Sequence, residues 1–406
     1  MNSGLAGKRR FVLILGCLTG LAAISIDMSL PAIPEMVREL ATSLSLGQQI
    51  VTWFMAGLAL GQLPAGLVSD RIGRMPVLYA GVLTFIAGGA ICAFTGSIEQ
   101  MLAGRFLQGI GASAGAVIAR AIVRDVASGK EAARLLTIMV MIFTAAPMLA
   151  PMAGSLLVTV SGWRAPFIVI AVCGGLMLIG VNRGLRETRL PVRDHHILRQ
   201  LWISLREFSR HRQCLFGVLL VLLTASGFLS LITSSSALII EIYGYPVSQF
   251  GFIFALAGFA ILLGSTINRR LLLTYSSMHV MGVGAVLIGV AALQMLLIVW
   301  LDAAPFWWLW GNVCLYMLGT GLLLPNATAM ALDPVPAFAG VAASIIGTVQ
   351  NLAAALSSLV SSLLYDGSIR NVVINMGICG TAVFVSFLLR AQILGSKPLF
   401  AEEGAD

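Results

Sequence analysis

The sequence predicts an all-α integral membrane protein in which twelve transmembrane helices form two six-helix pseudo-symmetric halves. The chain of 406 residues is 58% hydrophobic and only 10% charged, and its mean hydropathy is +0.96. Apolar runs of about 18 to 25 residues, the length that crosses a bilayer as a helix, recur along it. These runs lack the alternating pattern of an outer-membrane barrel, so strands are not expected.

Twelve apolar runs are long enough to cross the membrane. They cover approximately 11–31, 50–68, 77–95, 101–122, 135–160, 166–181, 214–240, 250–268, 279–300, 306–331, 340–364 and 372–392. The first run follows three basic residues, as the apolar part of a signal peptide would. It contains an aspartate and no small-residue cleavage pattern follows it, so we expect a retained helix.

The basic residues are distributed unevenly between the two sides of the membrane. With the amino terminus inside, the inward loops hold most of the lysines and arginines, while the outward loops hold only Arg38, Arg164 and Arg370. This asymmetry predicts that the multi-pass protein has both termini in the cytoplasm. It also explains the net charge of +8 better than a nucleic-acid-binding surface does, so we expect no nucleic-acid partner.

A basic segment at 182–213 divides the chain into an amino-terminal half, 1–181, and a carboxy-terminal half, 214–406. Apolar residues between His196 and Phe208 are spaced as on one face of a helix, which predicts an amphipathic helix in this linker, with lipid contact as a further hypothesis. A faint repeat supports the two halves, because Gly109 and Gly111 align with Gly319 and Gly321.

The sequence favours no metal, cofactor or enzyme chemistry. The six cysteines lie in or beside apolar runs without paired short spacing, which indicates small apolar residues and no disulfide or metal framework. Three of the four histidines lie in the basic linker. No nucleophile with a nearby base, carboxylate pair or phosphate-binding loop is evident, so a multi-span membrane enzyme is the less favoured alternative.

Asp27 and Arg105 are charges inside apolar runs. Asp27 follows Arg10 by seventeen residues, or about 25 Å of helix, and Arg105 lies roughly 7 Å into the fourth span from the outer side, so we expect similar depths. An intramembrane charge costs at least about 2.5 to 3.5 kcal/mol and is normally paired or exposed to water. Three interpretations remain: proton or substrate binding by Asp27, a fixed ion pair with Arg105, or an Asp27 side chain that reaches the outer headgroups.

The segment GLVSDRIGRMPVL, residues 66–78, joins the second and third spans on the cytoplasmic side. Gly73 permits the tight turn, while Asp70, Arg71 and Arg74 hold it at the membrane interface. Asp70 ends a helix whose carboxyl end is already negative, so we expect a cationic or helix-amino-terminal partner elsewhere. Such a contact could open and close as a gate.

The residues Gly66, Asp70, Arg71, Gly73 and Arg74 match in order and spacing the loop signature of the major facilitator superfamily, which this chain resembles. Met75 stands where a second basic residue is usual. RFLQGIGAS resembles the basic motif of the fourth helix, and APMLAPMAGSLL the glycine-proline motif of antiporters. With DMSLPAIP and GWRAPF, the pattern is most similar to the Bcr/CflA (bicyclomycin-resistance) branch of drug/proton antiporters, over essentially the whole chain.

The resemblance implies a rocker-switch exporter of the bacterial inner membrane, in which Asp27 is the membrane acid and Arg105 its proton-coupling partner. It assigns the loop signature to a cytoplasmic gate between the halves, and Pro151 and Gly154 to the shape of the fifth helix. The glycines usual before Pro151 and after Gly154 are Ala150 and Ser155 here. Both are small, so close helix packing is retained, while tight coupling of the exchange is less secure.

The expected substrate is a small, largely apolar, drug-like compound exchanged for protons, and we expect a functional monomer. Met141 and Met148 are candidates to line the pocket, although methionine is also ordinary packing. Gln350 and Asn351 could bind substrate or a neighbouring helix, and Arg120 and Arg124 are interpreted as interfacial anchors or gate partners. Uptake or exchange of a metabolite is the alternative transport function.

Overall fold

A computed structural model describes residues 3–127, 129–189, 197–301, 305–335 and 339–395, and all regular structure in these ranges is helical. A 3-10 turn, Leu30–Ala32, joins the first two α-helices, and a π-helical turn, Ala237–Ile242, extends the ninth. The α-helices in chain order are α1 (Ser3–Ser29), α2 (Ile33–Glu39), α3 (Leu44–Ile72), α4 (Arg74–Phe94), α5 (Ile98–Val126), α6 (Gly129–Ser161), α7 (Arg164–Gly184), α8 (Ile197–Arg210), α9 (Arg212–Ser236), α10 (Val247–Leu271), α11 (Ser277–Leu301), α12 (Phe306–Leu332), α13 (Ala339–Leu363), α14 (Arg370–Leu388) and α15 (Arg390–Leu394).

Twelve helical segments of the described chain are long and apolar enough to cross a membrane, as predicted. Several extend further than their apolar runs: the second predicted span, 50–68, is part of Leu44–Ile72, and the fourth, 101–122, is part of Ile98–Val126. Apolar composition locates the hydrocarbon core and misses these ends. Helices continue into the interface, where charged and polar side chains reach water.

The first span continues beyond its predicted end at residue 31. Pro31 and Pro34 are the second residues of the 3-10 turn and of α2, within the first turn of each, where a missing N–H breaks no helical hydrogen bond. Leu30, Ala32 and Ile33 are fully buried. The span therefore reaches Glu39, and the predicted irregularity is one tightened turn inside it.

Helices α1–α7 form one six-span half and α9–α14 the other. Each half is built around a glycine-rich central helix, α5 or α12. A side chain at Gly109 would meet the backbone of Phe54 in α3, and a side chain at Gly321 would meet the backbone of Ile261 in α10. Glycine is required at both positions because the backbones of the two helices are in contact.

These contacts correct the alignment of the repeat. Gly81 of α4 lies against the carbonyl of Gly111, and Gly284 of α11 lies against the carbonyl of Gly319. Gly319 therefore corresponds to Gly111 and not to Gly109. The predicted alignment was two residues out of register, because a short glycine pattern does not define which helix face each glycine occupies.

The two halves meet mainly where α3 packs on α13 and α6 packs on α10. We call the end of the bundle that contains Gly73 and α8 the linker end, and the opposite end the far end. Helix α8 packs on α9 and α13, at the linker end of both. A site that lies between the α3–α13 contact and the α6–α10 contact could open to either end of the bundle.

The predicted helix in the linker is present as α8, and residue 196 lies outside the described residues. Ser204 and Phe208 are buried against the bundle, whereas the side chains of Trp202 and Ile203 are exposed. This arrangement is that of an amphipathic helix at the surface of the bundle. The hypothesis that α8 contacts lipid stays a prediction.

Candidate functional site

Asp27 lies in the last turn of α1, just before the 3-10 turn, and only 3% of its surface is exposed. No hydrogen bond or ion pair of this side chain is formed with any part of the chain that the structure describes. A carboxylate buried in this way is costly when ionised, and protonation removes that cost. Asp27 is therefore placed where proton binding changes the local energy strongly.

Arg105 lies in α5 and is fully buried. Its Nη1 donates to Gln108 Oε1 at 2.7 Å and to Ser25 Oγ at 3.1 Å, and its Nε donates to the carbonyl of Ile50 at 3.2 Å. The guanidinium also lies 4.5 Å from the centre of the Phe54 ring. Arg105 thus ties α1, α3 and α5 together without a carboxylate partner.

Asp27 and Arg105 do not form an ion pair. Arg105 contacts Ser25, two residues before Asp27, so the two charges do lie at similar depths. Two residues of an α-helix are separated by about 200° of rotation, so Ser25 and Asp27 occupy nearly opposite faces of α1. The interpretation of a fixed ion pair is wrong in this conformation because helix rotation, which depth alone does not capture, separates the groups.

The loop between α3 and α4 organises a charged cluster at the linker end. Gly73 has φ +100°, a conformation that favours glycine. Arg74 is buried and bonds to Asp70 at 2.7 Å, to Asp125 at 2.9 Å and to Ser69 Oγ at 2.8 Å. The motif arginine therefore connects the end of α3 with the end of α5.

Three consecutive linker residues complete this cluster. Glu187 accepts hydrogen bonds from the backbone N–H groups of Arg74 and Met75 at 2.8 and 2.9 Å, which caps the amino terminus of α4. Thr188 donates to Asp125 at 3.0 Å, and Arg189 pairs with Asp70 at 3.1 Å.

The charge of Glu187 is stabilised by these contacts. Partial burial opposes its ionisation, but four backbone N–H groups outweigh this effect and lower the pKa of Glu187. No motif in the sequence marks Asp125 or Glu187, since both resemble ordinary charged residues at the membrane interface.

The partners of Asp70 belong to the first half and the linker. The described side chains bonded to it are Arg74 and Arg189, and no contact with the second half is formed. Arg71 is exposed and makes no ion pair within the described chain, while Gly66 lies on the face of α3 that looks toward α13. A gate contact of Asp70 with the second half is therefore not formed in this conformation, and the gate role stays a prediction.

A cavity of about 290 Å³ separates the halves at the linker end. Helices α3 and α5 and Arg189 form one wall, and Val341 and Ser344 of α13 form the other. Deeper in the bundle, Asn351 donates to Gln62 Oε1 at 3.0 Å across the halves. Asn351 therefore bonds to a neighbouring helix, which was one of its two predicted roles, while Gln350 is half-buried beside it.

The far end is closed by a group of polar side chains that we call the far-end seal, shared between α3, α9 and α13. The hydroxyls of Thr52 and Ser358 lie 2.6 Å apart, Thr233 donates to Ser358 at 2.7 Å, and Ser45 donates to the carbonyl of Ser362 at 2.5 Å. This group was not predicted, because serine and threonine are common in membrane helices and here form no spaced motif.

The antiporter motif of α6 lies at two helix contacts. A side chain at Gly154 would meet the carbonyl of Met28, next to Asp27, and the carbonyl of Pro151 lies against Gly251 of α10. Ala150 is buried. This part of α6 therefore packs between the first span and the second half.

The two candidate methionines differ in position. Met148 is half-buried, and its backbone lies against Gly258 of α10. Met141 is 65% exposed and shares an exposed face of α6 with Leu149 and Leu156. The structure does not bring Met141 to the other candidates, and it is left out of the proposed site.

Trp163 and Arg164 of the GWRAPF motif connect helix ends at the far end of the first half. Trp163 Nε1 donates to Glu39 at 2.6 Å, and Arg164 pairs with the same carboxylate. Arg164 also donates to the carbonyl of Thr95. This motif thus joins the ends of α2, α4 and α7, and its role here is structural.

Twelve membrane-spanning helices in two similar halves, with a cavity between them, define a multi-span transporter fold. Residues 15–358 match the model of the Major Facilitator Superfamily, and the chain belongs to this family.

Similarity to known proteins covers nearly the whole chain. The chain is 32% identical to the uncharacterized MFS-type transporter YdgK of Bacillus subtilis, over 88% of this chain and 89% of that one. It is 28% identical to the bicyclomycin resistance protein homolog of Haemophilus influenzae, over 95% and 98%. The fold is similar to the crystal structure of a D-xylose-proton symporter, with a TM-score of 0.74, 15% identity, and coverage of 95% and 98%.

Proposed function

We propose that this protein is a proton-coupled exporter of small drug-like compounds that works by alternating access. The proposal rests on Asp27, a carboxylate buried inside the first span without a partner in the described chain. Its two protonation states differ strongly in the cost of burial, so the proton is a ligand able to shift a conformational equilibrium. Similarity to a bicyclomycin resistance protein homolog supports a drug as the other ligand.

The two ends of the bundle support alternating access. The far-end seal joins the halves, whereas the cavity separates them at the linker end. In the proposed cycle, residues 1–181 and 214–406 rotate as two units connected by the linker 182–213. Opening the far end breaks the seal, and Asp70 leaves Arg189 to engage the amino-terminal end of α13 across the cavity.

Coupling follows if the proton and the drug each bind the two conformations with different affinity. Asp27 lies beside the carbonyl of Met28, which packs on Gly154 of α6, so a change at Asp27 reaches the helix that contacts α10. Arg105 fixes the neighbouring turn of α1 through Ser25. Protonation then favours one orientation and drug binding the other.

The proposed location is the bacterial inner membrane, with the linker end and both termini in the cytoplasm and a monomer as the transport unit. The basic loops at the linker end support this orientation through the positive-inside rule. The proton gradient then drives protons inward and the compound outward.

The test is transport in proteoliposomes with an imposed pH gradient. Wild-type protein should move a drug against its gradient and move protons in the opposite direction, and Asp27→Asn should lose both. Glu99→Gln is the control, since Glu99 is an exposed acid at the start of α5. Normal proton-driven transport by Asp27→Asn would refute the assignment, and co-movement of both ligands would indicate uptake.

A further inference from the structure

Two arginines at the linker end of α5 have no partner among the residues that the structure describes. Arg120 and Arg124 are one helical turn apart, and both side chains are exposed. Neither forms an ion pair or a hydrogen bond within the described residues, and the two charges repel each other. Like charges at this spacing destabilise a helix, so their presence calls for a compensating interaction.

Arg124 lines the cavity together with Val117 and Ala121. Arg120 lies one turn deeper on the same face of α5, three residues after Val117. The intervening residues Ile118, Ala119, Ile122 and Val123 are fully buried, so most of α5 at this level is enclosed by protein. Arg120 is about 9 Å inside the helix end, where contact with lipid would be costly, so the side that it shares with Arg124 is the favourable one for its charge.

The other charges that line the cavity are already compensated. Asp70 pairs with Arg74 and Arg189, and Asp125 pairs with Arg74 and accepts from Thr188. The opposite wall is α13, whose sequence from Ala339 to Leu363 contains no charged residue. The cavity thus retains two uncompensated positive charges in a confined space, which concentrates anions.

We infer that Arg120 and Arg124 bind an anionic group, a carboxylate, sulfonate or phosphate, of an otherwise apolar substrate. Guanidinium groups bind such oxyanions with paired hydrogen bonds, and side chains one turn apart lie close enough to share one oxyanion. The apolar part of the substrate would contact Val117 and, across the cavity, Val341. The inference refines the substrate class of the proposed exporter and rests on that function.

The experiment compares two probes of nearly equal shape, 2-naphthalenesulfonate, which is a permanent anion, and neutral 2-naphthalenesulfonamide. Equilibrium binding is measured on purified full-length protein in neutral lipid nanodiscs. We expect Arg120→Gln and Arg124→Gln each to weaken binding of the sulfonate roughly tenfold and to change the sulfonamide less than twofold. Arg270→Gln, an exposed arginine at the end of α10, is the matched control and should change neither.

Three outcomes would overturn the inference: unchanged sulfonate binding, equal loss of both probes, or loss of sulfonate binding when the discs contain anionic phosphatidylglycerol. Equal loss would indicate a gate role in place of anion binding. Loss in anionic discs would assign the arginines to a lipid headgroup. Undiminished binding of the sulfonate in anionic discs supports a substrate that is not a lipid headgroup. Binding needs no proton gradient, so this result stands apart from the transport test of the proposed function.

Discussion

The carboxylate of Glu187, in the linker, accepts a hydrogen bond from the backbone N–H of Arg74, the first residue of α4, at 2.8 Å. The same segment pairs with Asp70 through Arg189. The linker is thus part of the charged cluster at the cavity, and its contribution can be measured by substitution.

We expect Glu187→Gln to lower the unfolding temperature of the purified protein at neutral pH, because an amide is a weaker cap for the two N–H groups of α4. The pKa of Glu187 is lowered by its backbone contacts, so its stabilisation is complete above the ordinary glutamate value of about 4.3 and is lost as the pH falls through the lowered value. The difference between variant and wild type should shrink on acidification. Glu207→Gln in α8 is the control, and a pH-independent difference would contradict the cap.

Arg105→Lys should reduce proton-driven transport roughly tenfold or more, although the charge is kept. A single ammonium group cannot reproduce the bonds to Ile50, Ser25 and Gln108, which come from different atoms of one planar group. The measurement is the initial transport rate and the number of protons moved per substrate. Arg270→Lys is the control, and full activity of Arg105→Lys would show that the fixed geometry is unnecessary.

A disulfide across the far-end seal should stop transport. The hydroxyls of Thr52 and Ser358 lie 2.6 Å apart, so the Thr52→Cys, Ser358→Cys pair is placed to cross-link and hold the far end closed. The six native cysteines are free and would first be replaced. Oxidation should abolish transport and reduction restore it, with each single variant as control. Transport by the fully cross-linked protein would refute opening at this end.

Gly109→Ala should destabilise the first half by about 1 to 3 kcal/mol, since the added methyl group would press on the backbone of Phe54. Gly175→Ala is the matched control, because open space surrounds that helical glycine. Thermal unfolding measures both. Equal effects of the two substitutions would show that the contact between α3 and α5 is looser than described.

Composition and hydropathy were sufficient for the fold. Twelve spans and the two halves follow from runs of apolar residues, since only helices satisfy the backbone within lipid. The ends of the spans were less predictable. The first span continues to Glu39, because a 3-10 turn at Leu30–Ala32 lets the helix pass two prolines. Local proline patterns do not distinguish a break from a tightened turn.

Residues of the candidate site could be predicted only where the residue type and its spacing in a motif indicate the role. Arg74 and Gly73 were identified from their spacing, but their partners Asp125 and Glu187 lie far away in sequence. The similar depths of Asp27 and Arg105 were predicted, but the side of the helix on which each residue lies depends on the rotation of α1 and α5. Rotation is fixed by packing, as at the contact of Gly154 with Met28, and packing cannot be obtained from hydropathy.

The far-end seal consists of hydroxyl groups and one backbone carbonyl, and beside it the exposed side chains of Arg38 and Glu241 form an ion pair between the halves. The ions around Arg74 at the linker end are largely buried. Dissolved ions screen exposed charges over about 8 Å at physiological concentration, act much less on buried pairs and leave neutral hydrogen bonds nearly unaffected. Raising the salt concentration should therefore weaken the contact of Arg38 with Glu241 and leave both the seal and the Arg74 cluster in place.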